Sequence, residues 1–171
     1  MSSPARHYGK YRGTVLSNVH SGKGGPDGMI QFSITMGGTP FISWATPCVP
    51  FAGGTGPQAC AFYMLPPIGA GVWIEFEEGL IDKPIWSGCY WRAGELTTAL
   101  LPDAASPSTG VLVYGGGRVK FDLLSGVTVQ TITGVEVQVD KTQISIKVGP
   151  NKIQVSLANI ALNGANLMVL P

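Results

Sequence analysis

The chain has 171 residues, of which 12% are charged and 44% hydrophobic, with a formal net charge of +1. That length has room for one or two domains, and the even charge balance argues against a polyanion-binding protein. So few charges on so apolar a chain imply that much of its surface is covered in an assembly. No run of eighteen apolar residues could span a membrane. The basic start MSSPARHYGKYR has no apolar segment behind it, so synthesis in the cytoplasm without a signal peptide is expected. Cys48, Cys60 and Cys89 are odd in number and set among apolar neighbours, which predicts buried reduced thiols rather than a disulfide framework or a metal site.

In chain order, residues 1–8 read as a flexible arm. Strands are predicted at 11–19 and 29–36, joined by the loop SGKGGPDG at 21–28. That loop has a superficial likeness to a phosphate-binding loop, but lacks GK[ST] and a following helix. Residues 41–51 read as a strand interrupted by Pro47 and Pro50, hence an edge or a bulge, and 52–59 as a loop. Further strands are predicted at 62–65, 72–77 and 84–90. Short strands without a strong helix suggest a small Greek-key barrel over residues 9–92. Residues 93–110, AGELTTALLPDAASPSTG, have the composition of a linker.

From Val127 to Val169 apolar and polar residues alternate strictly, which means half-buried strands. The apolar face carries the candidate subunit-interface residues Val135, Val137, Val139, Ile144, Ile146, Val148, Ile153, Val155, Leu157, Ile160 and Leu162. Among the turn signals only Asn163-Gly164 is a good two-residue hairpin. One long hairpin sheet is therefore not expected. The reading is a repeat of one strand plus one corner, too poor in internal partners to offset its ordering entropy alone. A rod-like, intertwined β-structure of several copies over residues 111–171 would supply those partners. The alternative is that these strands belong to an ordinary monomeric sandwich or barrel.

Two other sets of residues could carry chemistry. Glu75, Glu77, Glu78 and Asp82 could contain a carboxylate pair for glycoside cleavage, but read more simply as a solvated hairpin tip. No Ser/His/Asp set, HExxH or CxxC is present, so neither an enzyme nor a cofactor is expected. Trp44, Phe62, Tyr63 and Trp73 could stack single-stranded bases beside Lys10, Arg12 and Lys23. The plainer reading makes those aromatics core or interface residues, with no nucleic acid as partner.

The segments GKYRGTV at 9–15, WATPCVPFAG at 44–53, LPPIGAGVWIEFEEG at 65–79 and KPIWSGCYW at 83–91 resemble the oligonucleotide/oligosaccharide-binding (OB) domain of baseplate spike proteins. These occur in contractile phage tails, type VI secretion spikes and extracellular injection systems. The resemblance implies an all-β chain, with an OB-fold barrel at 9–92 followed by an intertwined trimeric β-helix or β-prism. It implies a homotrimeric spike below a separate hub protein, driven through the target envelope by sheath contraction. Some relatives carry a lysozyme domain between the two parts, where this sequence has only its linker. Others hold a tip metal through paired histidines, whereas His7 and His20 lie at the opposite end. The apolar finish NGANLMVLP instead implies a conical PAAR-type tip protein, contacted by Asn166, Leu167, Met168, Val169 and Leu170.

Overall fold

The computed structural model describes residues 5–19, 28–54, 56–95, 109–164 and 167–169. The chain divides into two compact all-β units, residues 1–92 and 93–171.

The first unit contains β1 (Tyr11–Ser17), β2 (Ile30–Met36), β3 (Thr39–Pro47), β4 (Ala52–Gly53), β5 (Cys60–Ala61), β6 (Gly71–Phe76) and β7 (Pro84–Tyr90). Five of these close a barrel in the order β1-β2-β3-β7-β6, which leaves the barrel no free strand edge. Only the β3–β7 pairing is parallel; β4 and β5 form a separate small hairpin. Alternation along each strand sends Val15, Ile30, Phe32, Ile34, Ala45, Val72, Ile74, Phe76 and Trp86 into one interior cluster. The indole of Trp86 donates to the Gly28 carbonyl at 3.1 Å, which satisfies its single polar atom inside the core. Gly71 has no room for a side chain, because a Cβ there would stand 2.8 Å from the Tyr90 ring.

The strand expected at 62–65 is absent. The closed barrel offers it no edge, and Pro66 and Pro67 lack ladder donors. Residues of the expected N-terminal arm are tied down: Arg6 donates to the Glu78 carbonyl at 2.8 Å, and the His7 amide to Gly79 at 2.9 Å. The cysteines also depart from expectation, since Cys48, Cys60 and Cys89 are all exposed. Apolar neighbours in sequence do not bury a residue that sits on a connection or at a barrel end. At Cys89, surrounding atoms still push the thiol above its ordinary pKa.

The second unit is one eight-stranded antiparallel sheet, formed by β8 (Thr109–Tyr114), β9 (Gly117–Asp122), β10 (Gly126–Gln130), β11 (Glu136–Val139), β12 (Gln143–Val148), β13 (Asn151–Ser156), β14 (Ile160–Leu162) and β15 (Leu167–Val169). Each strand pairs with its neighbour in sequence, so this is a long hairpin meander, contrary to expectation. Within the chain the ladder runs unbroken from β8 to β15.

The turns explain the difference. Gly115-Gly116 and Asn163-Gly164 place two successive residues at positive φ, as tight hairpin turns require. The alternate corners are closed by side chains. One carboxylate oxygen of Asp122 accepts from the Leu124 and Ser125 amides, each at 2.9 Å. Asp140 does the same for Thr142 at 2.8 Å and Gln143 at 3.0 Å. The Ser156 hydroxyl takes that role toward the Ala158 and Asn159 amides. All three are side-chain-mimicked turns; those at Asp140 and Ser156 use no glycine, whereas the Asp122 corner ends on Gly126 at positive φ.

Candidate functional surfaces

Regular register across eight strands turns alternation into two continuous aliphatic rows. One runs Leu112, Val119, Val129, Val137, Ile146, Ile153 and Leu162; the other runs Phe121, Val127, Val139, Ile144, Val155 and Ile160. Leu167 and Val169 occupy the next register positions, opposite Leu162 and Ile160. Directly opposed residues share a face, so this face is aliphatic along both rows, with Asn151 at its margin opposite Val148. Among the described residues of the chain it has no cover: Phe121 is 54% exposed, Ile144 48% and Ile153 45%. The other face carries Arg118, Lys120, Gln138, Lys147, Gln154 and Lys152 and is the more enclosed of the two: Ser145 is buried, and Thr128, Gln143, Lys152, Gln154 and Ser156 are half-buried.

Most sequence-selected interface residues fall on those rows. Val135 precedes β11 and is half-buried; Val148 stands opposite Asn151 at the sheet margin; Leu157 lies in a turn, 93% exposed and outside the rows. The contributions of Leu112, Val119 and Phe121 were missed. Their signal was the Asp122-Leu123-Leu124-Ser125 corner, which matches the Asp140 corner and carries the repeat two strands further toward the N-terminus. Of the expected tip contacts, Asn166 and Leu170 lie outside the described residues. Leu167, Met168 and Val169 form the last strand.

The barrel presents a different surface. Ile74 pairs with Trp86 and Val72 with Cys89, so Ser87 and Gly88 together oppose Trp73 in a β-bulge. One extra residue reverses the alternation, so Tyr90 emerges on the outer face beside Trp73, with ring centres 5.0 Å apart. Arg12 lies over both rings, at 5.3 Å and 5.0 Å. Nearby, Lys10 pairs with Glu75 and donates to Ser87 at 2.9 Å; the Ser87 hydroxyl donates to Glu75 at 2.5 Å. The bond from Lys10, then that from Ser87, holds the Glu75 carboxyl below its ordinary pKa.

These contacts bear on both chemical alternatives. A general acid needs a raised pKa, whereas Glu75 is lowered, and Glu77 has Lys83 at 3.9 Å. Glu78 sits at positive φ in the turn that follows β6. Glu77, Glu78 and Asp82 thus lie about the connection between β6 and β7, while Glu75 stands on β6 itself, opposite Ile85. Among the described residues, no group of three or more His, Cys, Asp and Glu could hold a metal ion. Nor do the proposed stacking residues form one platform: Trp73 lies under Arg12, whereas Phe62 packs against Phe51 at 6.2 Å. Lys10 and Arg12 are engaged within the protein, and Lys23, like His20, lies outside the described residues.

No helix among the described residues is long and apolar enough to cross a membrane. Residues 11–91, which span the whole barrel, match the family described as the type VI secretion system/phage-baseplate injector OB domain. No curated protein matches the sequence.

Proposed function

The barrel of this chain belongs to the type VI secretion system/phage-baseplate injector OB-domain family, and from that premise we propose that the protein is the central spike of a contractile injection machine. Membership gives a structural role in such a system. The finer reading is that three copies assemble with their C-terminal sheets around a common axis, each sheet forming one side of a prism with its aliphatic rows inward. A separate hub protein sits above the barrels, and a conical PAAR-type protein covers the C-terminal end. The assembled particle pushes this spike through the target envelope.

One observation carries the trimer: an eight-stranded sheet with a predominantly aliphatic face that no described residue of its own chain covers. Such a face in water is an interface. Packing against equivalent faces would remove aliphatic surface at about 25 cal/mol per Å². The resulting rod would resist local peeling, because each sheet is continuous along its length and shares its core with the others. Force transmission needs no reacting group, in keeping with a non-enzymatic role.

Light scattering after size exclusion tests the reading on the full chain and on Val137→Asp. A trimer for the parent chain and its loss in the variant are expected, because the new carboxylate would be buried without a partner. A monomeric parent chain, or a variant trimer of unchanged stability, would overturn the prism.

A further inference from the structure

From Gly28 to Ile74 the sequence contains no Asp, Glu, Lys, Arg or His. This stretch supplies β2, β3, the β4–β5 hairpin and most of β6, so a large part of the barrel's outside carries no charge. Its surface is partly apolar, although β2 turns Gln31, Ser33 and Thr35 outward. On the β3 wall Ile42 is 54% exposed; on the hairpin side Phe51, Phe62 and Tyr63 are 53%, 39% and 56% exposed. Phe51 and Phe62 brace each other edge to face, and the Phe62 amide donates to the Phe51 carbonyl at 3.0 Å. The charged groups lie elsewhere or at its margin: Lys10, Arg12 and Glu75 near β1 and β6, Arg92 beyond β7, bonded to Thr14 at 2.8 Å, and Glu77, Asp82 and Lys83 beside Trp44 and Thr46 at the C-terminal end of β3. The barrel therefore has an ionic side and a side whose own residues are uncharged, bordered by ions only at the C-terminal end of β3.

We infer that the uncharged side is a second self-association surface, on which the aromatic hairpin of one copy docks on the β2–β3 wall of the next. The inference rests on the trimer proposed above. A charge-free surface cannot neutralise a partner's ions, so a charged partner would be desolvated without compensation. The partner must be equally uncharged, and a copy of this barrel meets that condition. Contacts around a threefold ring are head-to-tail, so two different patches must meet. The stretch carries two: a projecting aromatic pair and a strand wall with Ile42 at its centre. Once the sheets assemble, linked barrels are held at high effective concentration, so even a modest patch is occupied.

Cys60 is a native reporter, because it is exposed in the single chain and pairs with Gly53 inside the hairpin. The experiment follows its reaction with a small maleimide by mass spectrometry, in the purified full-length oligomer and in the chain unfolded in guanidinium. Oligomeric state is read on the same sample. Protection of at least about tenfold in the native oligomer is expected, consistent with access only through local opening. Ile42→Lys or Tyr63→Lys alone should abolish the protection while the oligomer persists through its sheets. Ile42→Lys combined with Tyr63→Glu should restore it by pairing opposite charges across the contact. Cys60 reacting in a native trimer as fast as in the unfolded chain would overturn this inference and leave the prism standing. So would protection that survives both single lysines. A monomeric chain would end both proposals.

Discussion

The barrel and the C-terminal sheet are written in the same alternation but complete it differently. In the barrel, Val15, Ile30, Phe32 and Ile74 are at most 1% exposed; in the sheet, the equally aliphatic Val129, Ile144, Ile146 and Ile153 are 41–48% exposed. Curling five strands until β1 meets β6 gives the first unit an inside. A meander of eight strands has two faces, and the side this one encloses, around the buried Ser145, is the polar one. Alternation thus specifies which face must be covered, and topology decides whether the chain can cover it alone.

The sharpest way to break this comparison is to damage each face in turn. Phe32→Ala should cost the barrel about 3–5 kcal/mol, the range for emptying a buried phenylalanine site. That loss should not depend on protein concentration. Ile146→Asp should be nearly silent within a single chain, where the site is 41% exposed. In a prism it would bury three carboxylates, each worth several kcal/mol, and dissociate the assembly. Thermal melts at two concentrations separate the cases: only the sheet transition should move with concentration. A concentration-independent penalty for Ile146→Asp would mean that the face is covered within the chain.

Glycine positions give a smaller contrast. Gly71→Ala drives a methyl group to 2.8 Å from the Tyr90 ring and 2.9 Å from the Tyr90 carbonyl oxygen. Overpacking of this kind costs about 1–3 kcal/mol. Gly126 adds strain to collision, since it holds φ at +75° and its Cβ would run into the Val139 carbonyl oxygen. Gly126→Ala should therefore destabilise the sheet more than Gly71→Ala destabilises the barrel, as read by chemical denaturation of each transition. Equal effects would mean that the β10–β11 contact relaxes freely.

Part of this was legible in the residues alone. The strand Pro84–Tyr90 coincides with its sequence reading, because alternation and its flanking turns leave little choice. The aliphatic face of the sheet followed from period two for the same reason. Phe62–Leu65 was misread because an apolar run states a preference for burial, while the double proline after it and the lack of an open barrel edge decide the outcome. The bulge that delivers Tyr90 to Trp73 depends on one unpaired residue, which alternation does not encode. The long meander was missed because a hairpin was equated with a glycine turn, whereas Asp122, Asp140 and Ser156 close corners through their own oxygens.

The smallest effect compares the carboxylate that serves each unit. Asp140 is held below its ordinary pKa by the Thr142 amide first and the Thr142 hydroxyl next, Glu75 by its bonds from Lys10 and then Ser87. In both, the folded-state pKa is depressed, so the stabilisation is present above the unfolded carboxyl value, about 3.9 for Asp and 4.3 for Glu. It is lost as pH falls from there through the folded value. Both groups are well solvated, so each should produce a shallow decline below about pH 4 rather than unfolding. Salt distinguishes them. The Lys10–Glu75 attraction weakens as ionic strength rises, whereas Asp140 accepts short hydrogen bonds from neighbours in its own corner. Carboxyl NMR titrations at low and high salt should therefore bring Glu75 toward its ordinary value and leave Asp140 depressed. Asp140→Asn, which keeps the acceptor oxygen, should retain the corner and remove its acid dependence, while Asp140→Ala should lose both. Asp140 moving with salt as much as Glu75 would mean that its corner is held by net charge rather than by directed hydrogen bonds.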